Sequence, residues 1–171
     1  MAYLLGIDPL AAWTTTPEFG LGTLAMTRTP QGTKIWKYVK LRNETATVAV
    51  AGTSSSGQPN EGDMLAYLAA PANNDEINTV VSDYTDAETV PVGAGMAFVS
   101  IAGVLATAYY GWIQTTGYAI SRAAIGGVGD NKTLICSATD LTLTLSTALT
   151  DPVCALCIVD ATKNVRLCCP L

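Results

Sequence analysis

Along much of the chain apolar residues recur at every second position, and Gly, Pro and Asn interrupt the runs. Thr, Val, Ile, Tyr and Trp fill them, residue types that suit a pleated, half-buried backbone. The clearest unit is a hairpin in which Leu21 to Thr29 and Lys34 to Arg42 flank Pro30-Gln31-Gly32-Thr33. In its second arm Ile35, Lys37, Val39 and Leu41 point one way, and Lys34, Trp36, Tyr38 and Lys40 the other. Extended segments are also expected at Ala46 to Ala51, Ile77 to Tyr84, Ala97 to Ala106, Tyr110 to Thr115, Val153 to Val159 and Asn164 to Cys168. Leu141 to Ser146 alternates strictly, with one leucine face and one hydroxyl face. Helical spacing is confined to Gly62 to Ala70, where Met64, Leu65 and Leu68 share a face. The polar stretch Gly52 to Asn60, the acidic bend at Asp86 and Glu88, and Asp160 to Lys163 read as loops and turns.

About eight short strands at this spacing predict a mainly β fold. The expected architecture is an antiparallel β-sandwich or barrel-like domain over residues 21–171, with at most one short helix. Residues 1–20, with Pro9, Pro17 and no clear period, read as an extended N-terminal arm.

Composition changes the picture in one respect. Of 171 residues 49% are apolar and only 13% charged, against roughly 25% charged in an average domain. So little polar surface points toward assembly with other protein. The net charge of -5 argues against nucleic acid as a partner. Five of the nine basic residues, Arg28, Lys34, Lys37, Lys40 and Arg42, nevertheless fall within fifteen positions. They form either a local positive stripe or one solvated strand face. From Thr89 to Ser121 there is no charged residue, but the segment's glycines and strand-turn-strand pattern argue against a membrane span. The first residues lack the basic and long apolar regions of a secretory signal, so the two Asn-x-Thr sites, at Asn43 and Asn131, carry no expectation of glycosylation.

Candidate chemistry is thin. Histidine is absent, which removes the commonest general base and metal ligand. The acidic residues Asp83, Asp86 and Glu88 cluster in loops, a poor place for a carboxylate pair with shifted pKa values. Cys154, Cys157, Cys168 and Cys169, with Cys136, could offer thiolates to zinc, but both pairs sit in strand-like runs. Buried free thiols are the preferred reading, with a disulfide or a metal site as alternatives. Gly126 to Thr133 is one residue from a phosphate-binding loop, but strand follows it where that loop needs a helix. No enzyme activity, cofactor or metal is expected.

Three segments resemble the capsid decoration, or cement, proteins of tailed bacteriophages. They are GTLAMTRTPQGTKIWKYVKL (Gly22 to Leu41), YYGWIQTTGYAI (Tyr109 to Ile120) and CALCIVDATKNVRLCCPL (Cys154 to Leu171). The long polar loop near Gly57 and the cysteine-rich end depart from that pattern. The resemblance implies a non-catalytic virion protein on the outer capsid surface. It would bridge neighbouring subunits of the major capsid protein, as a homotrimer and without nucleic acid or membrane. Residues 1–17 would then be an inter-subunit strap, and Lys34, Lys37 and Lys40 a capsid-facing surface. Independently of the resemblance, Tyr110 and Trp112 share a strand face and read first as core packed beside small residues, with a partner-binding hot spot as the functional alternative. Alternatives are another virion part, such as a head fibre base or tail protein, or a small β-barrel ligand-binding protein. The last would line a pocket with Trp112 and the Leu141, Leu143 and Leu145 face.

Overall fold

The alternation does build strands. In the computed structural model, residues 2–3, 8–42, 59–69, 76–82, 91–101, 108–122, 125, 128–137 and 141–171 are described. Among them are eleven strands: β1 (Ala2–Tyr3), β2 (Leu24–Thr29), β3 (Gly32–Leu41), β4 (Met64–Tyr67), β5 (Thr79–Val81), β6 (Gly93–Ala97), β7 (Tyr109–Ile120), β8 (Thr133–Cys136), β9 (Leu143–Leu145), β10 (Ala155–Val159) and β11 (Asn164–Cys168). The expected strand at Ala46 to Ala51, the acidic bend and most of the Gly52 to Asn60 loop lie outside the described residues.

All eleven strands join one sheet in the order β1-β2-β3-β5-β4-β6-β7-β11-β10-β8-β9, and β3 also pairs with β7. That extra pairing closes β3, β5, β4, β6 and β7 into a ring. Two long strands make this possible by changing partners along their length. One edge of β3 holds β7, while the other holds β2 from Gly32 to Lys37 and then β5 at Lys40 and Leu41. One edge of β7 holds β3, while the other holds β6 at Ile113 and Gln114 and then β11 from Thr116 to Ile120. The fold is therefore mainly β and barrel-like, with an open wing of β11, β10, β8 and β9.

Three apolar clusters fill the layers. The ring-facing residues Val39, Leu41, Leu65, Val80, Ala94 and Ile113 form one. The opposite face of β4 and β6, through Met64, Ala66 and Met96, packs with Ala119, Leu134, Leu143, Ala155, Val165 and Leu167 of the wing. The third is aromatic and lies on the outward face of β3 and β7.

Several expectations change. Gly62 to Ala70 contains β4 and no helix; Met64, Leu65 and Ala66 are all buried, which a central strand covered on both faces demands. The first hairpin is tighter than its pattern suggests, since Thr29 pairs with Gly32 and only Pro30 and Gln31 turn the chain. The turn expected after Thr115 is absent. β7 runs on to Ile120 through a register shift opposite Ile35 and Trp36 and through Gly117 at φ 100°, where an added Cβ would lie 2.5 Å from the Thr33 carbonyl. Only Leu143–Leu145 of the alternating leucine stretch is strand, because Leu141 adopts φ 61°. The last two strands and the Asp160 to Lys163 turn, a single 3-10 turn ending in left-handed Lys163, lie where expected.

The described part of the N-terminal segment lies on its own domain. β1 pairs with Thr27 and Arg28, and Thr14 and Tyr110 exchange backbone hydrogen bonds of 2.9 and 2.7 Å. Trp13 is buried, donates its indole N–H to the Val99 carbonyl (3.0 Å), and stacks where a Cβ on Gly111 would come within 2.6 Å of its ring.

Candidate functional site

The residues singled out from sequence fall in three different places. Trp112 is 4% exposed and packs edge-on against Tyr38 (5.2 Å between centroids) and tilted against Phe19 (5.4 Å). Tyr110 shares that face and is half-buried against the same cluster. Strand alternation does put the two on one side, but the N-terminal segment covers them. Leu141 and Leu143 are buried in two different clusters, so they do not share a pocket wall with Trp112.

The three lysines do not form one surface. Lys40 is half-buried and level with Thr79 and Tyr110. Lys37 points to the ring side of β3 and is 6% exposed. Its ammonium donates a 2.9 Å hydrogen bond to the Tyr67 hydroxyl and lies 5.0 Å from that ring's centre. Burial lowers its pKa below the ordinary lysine value. Tyr67 in turn donates to the Pro170 carbonyl (3.1 Å), and its own pKa is pushed up to about 12, first by burial and then by Cys169. Lys34 lies on the opposite face of β3, 5.3 Å from the centre of the Phe98 ring. Burial lowers its pKa too, while the Glu61 carboxylate works in the other direction.

Above Lys37, β2 presents an apolar stripe that sequence reasoning passed over. Leu24 and Met26 are 46% and 41% exposed, although Ala25 and Thr27 between them are buried. β2 is thus apolar on both faces, as in strands sandwiched between two layers. The register continues this stripe: Met26 is level with Ile35, Ile35 with Thr116, and Thr116 with exposed Cys168. Beyond buried Cys169 come exposed Pro170 and Leu171, with Pro170 tied to Tyr67. Alternating Leu24 and Met26 were the available signal, but an apolar residue on a strand is ordinarily assigned to a core.

All five cysteines lie outside any disulfide, and Cys136 and Cys154 are hydrogen-bonded to each other. Adjacent Cys168 and Cys169 face opposite ways, exposed and buried, as strand alternation requires. Cys154 and Cys157 do not, because Cys154 precedes β10; both join the same cluster. The hydrogen bond with Cys136 favours the Cys154 thiolate, but the Cys169 thiol, burial and nearby sulfurs together push its pKa well above the ordinary value. Among the described residues no group of three His, Cys, Asp or Glu is placed to hold a metal ion, and no helix is long and apolar enough to cross a membrane. Gly126 and Gly127 of the glycine-rich loop lie outside the described residues, and β8 follows that loop.

Compared with protein-family models, curated proteins and solved structures, the chain matches none.

Proposed function

We propose that this chain is a structural protein of a virion, a capsid decoration protein that docks on the outer surface of a shell and bridges its major capsid subunits. The carrying observation is the row from exposed Leu24 and Met26 through half-buried Ile35 to exposed Cys168, which has no cover among the described residues. A monomer gains nothing by leaving both leucine and methionine of an outer strand in water, whereas a partner sheet or loop laid across them completes their burial. The charge-poor composition and the three family-like segments support the same reading. Docking through this row replaces the lysine surface expected from sequence, since Lys37 is already under cover. The N-terminal segment then serves chiefly to complete the domain on which it lies.

The test is association with particles. The protein should co-sediment with capsids at a fixed stoichiometry and run in free solution as a homotrimer by analytical ultracentrifugation. The double variant Leu24→Ser/Met26→Ser should lose particle binding by at least about tenfold while keeping its β-rich circular dichroism. Equal binding by the variant removes this surface from the interface; a protein that never sediments with particles ends the proposal.

A further inference from the structure

A cavity of about 160 Å³ opens on the other side of β3, away from the apolar row, between the end of β6, the second half of β7 and the turn at Glu61 and Gly62. Its lining combines Met96, Phe98 and Tyr118 with Lys34, Glu61 and Gln114. Three features separate it from a packing gap. First, Gln114 is 1% exposed, and its amide orientation is fixed because Nε2 donates to the Thr116 and Tyr118 carbonyls (3.2 and 2.9 Å). Its Oε1 is buried behind the cavity wall and, among the described residues, accepts no hydrogen bond. A buried acceptor left unpaired costs about 1–3 kcal/mol, so it marks a place where a donor belongs.

Second, Lys34 and Glu61 bring opposite charges to the same cavity and interact through space, but form no ion pair within contact distance among the described residues. Lys34 instead lies over the Phe98 and Trp36 rings, 5.3 and 6.0 Å from their centres. Third, the wall is held rigidly. Gly62 donates to the Ala97 carbonyl (2.8 Å) and accepts from Arg122 N–H (2.9 Å). Next to it, fully buried Asp63 accepts two hydrogen bonds from the Arg122 guanidinium (2.6 and 3.0 Å).

A ligand that answers all three groups carries its own two charges. An ammonium supplies donors to the Glu61 carboxylate and, with a shift of the Gln114 amide toward the cavity, to its Oε1; a carboxylate meets Lys34; and a small apolar body fits against Met96, Phe98 and Tyr118. A dry space of roughly 150 Å³ takes a benzene-sized group, which limits that body to a branched aliphatic side chain. We infer that this cavity binds a free α-amino acid with a small aliphatic side chain, leucine or valine being the fitting sizes. The site is independent of docking through Leu24 and Met26, which lie on the opposite face of the hairpin.

Calorimetry and thermal shift with L-leucine test it, using 4-methylpentanoate and isopentylamine as probes that each lack one charge. Saturable leucine binding is expected, with each single-charge analogue at least about tenfold weaker. Lys34→Met should weaken leucine but leave isopentylamine unchanged, and Glu61→Gln should weaken leucine but leave 4-methylpentanoate unchanged. Both variants alter side chains at the cavity mouth, so circular dichroism and melting should stay near those of the parent. No leucine or valine binding up to about 10 mM, or binding that is indifferent to both variants, overturns the inference. Equal affinity for leucine and 4-methylpentanoate overturns the zwitterion in particular.

Discussion

β3 and its neighbours expose two apolar faces, and the chain treats them differently. On one, Tyr38 and Trp112 are covered by Phe19 of the N-terminal segment, with Leu10 of that segment packed on the same cluster and Phe98 against Trp36. Trp13 and Thr14 anchor that segment to Val99 and Tyr110. On the other, Leu24 and Met26 continue the ring-facing side of the hairpin past the end of the ring and stay in contact with water. The first face is finished intramolecularly, at the cost of ordering a segment that has no regular structure of its own. The second has no such cover among the described residues. A charge-poor protein can thus close one apolar face with its own chain and leave another in water, without cover among the described residues.

The contrast can be broken by mutation. The largest expected effect is at the sealed face: Trp112→Ala should cost about 3–5 kcal/mol in urea unfolding, the usual penalty for emptying a large aromatic site. Gly111→Val attacks the opposite, ring-facing side of the same strand, where Trp13 of the covering segment is anchored. Its Cβ would collide with the Trp13 ring, so a loss of about 1–3 kcal/mol is expected, with new protease cleavage between residues 8 and 20. If that variant keeps both parental stability and protease resistance, the Trp13 anchor is not what holds the segment in place.

Lys37 gives an intermediate and pH-dependent effect under the open face. Its folded pKa lies below the 10.5 of an ordinary lysine because burial disfavours the charge. Where both folded and unfolded chains hold the proton, the buried charge opposes folding in full. As pH rises from the lowered value toward 10.5 the folded amine releases its proton first, and stability increases. Lys37→Met should therefore be more stable than the parent at neutral pH and lose that advantage in alkali. An advantage constant across the titration would mean that packing, not charge, decides it. The smallest stability change belongs to Leu24→Ser/Met26→Ser, within about 0.5 kcal/mol, since these side chains are already wet. A large loss there would mean the row is core after all.

Strand-level features were legible wherever alternation and turn chemistry agreed, as in the Gly22 to Leu41 hairpin and the Ala155–Val159 and Asn164–Cys168 pair. They failed where local pattern and tertiary position conflict. Met64, Leu65 and Leu68 have helical spacing, yet Met64 to Ala66 is a strand covered on both sides, and no period distinguishes such a strand from a buried helix turn. The path of β7 through Thr115 and Gly117 depends on the approach of Thr33 from a strand some eighty residues earlier. The cavity was invisible for the same reason: Lys34, Glu61, Phe98 and Gln114 come from four separate segments, and nothing in any of them signals the others. Trp112 was weighed as core or hot spot, and only the covering segment decides between them.

The partner exchange along β3 and β7 has a mechanical consequence. Ring and wing meet on β7, whose one edge passes from β6 to β11, while β3 lies along its other edge from Ile35 to Leu41, so the strand that carries the wing is itself clamped into the ring. Unfolding should then proceed as a single event, with the slowest-exchanging amide protons in the middle of these two strands. Tension applied by a partner at the Leu24 edge would pass straight across both to the last strand, spreading the load through the whole molecule instead of opening one loop.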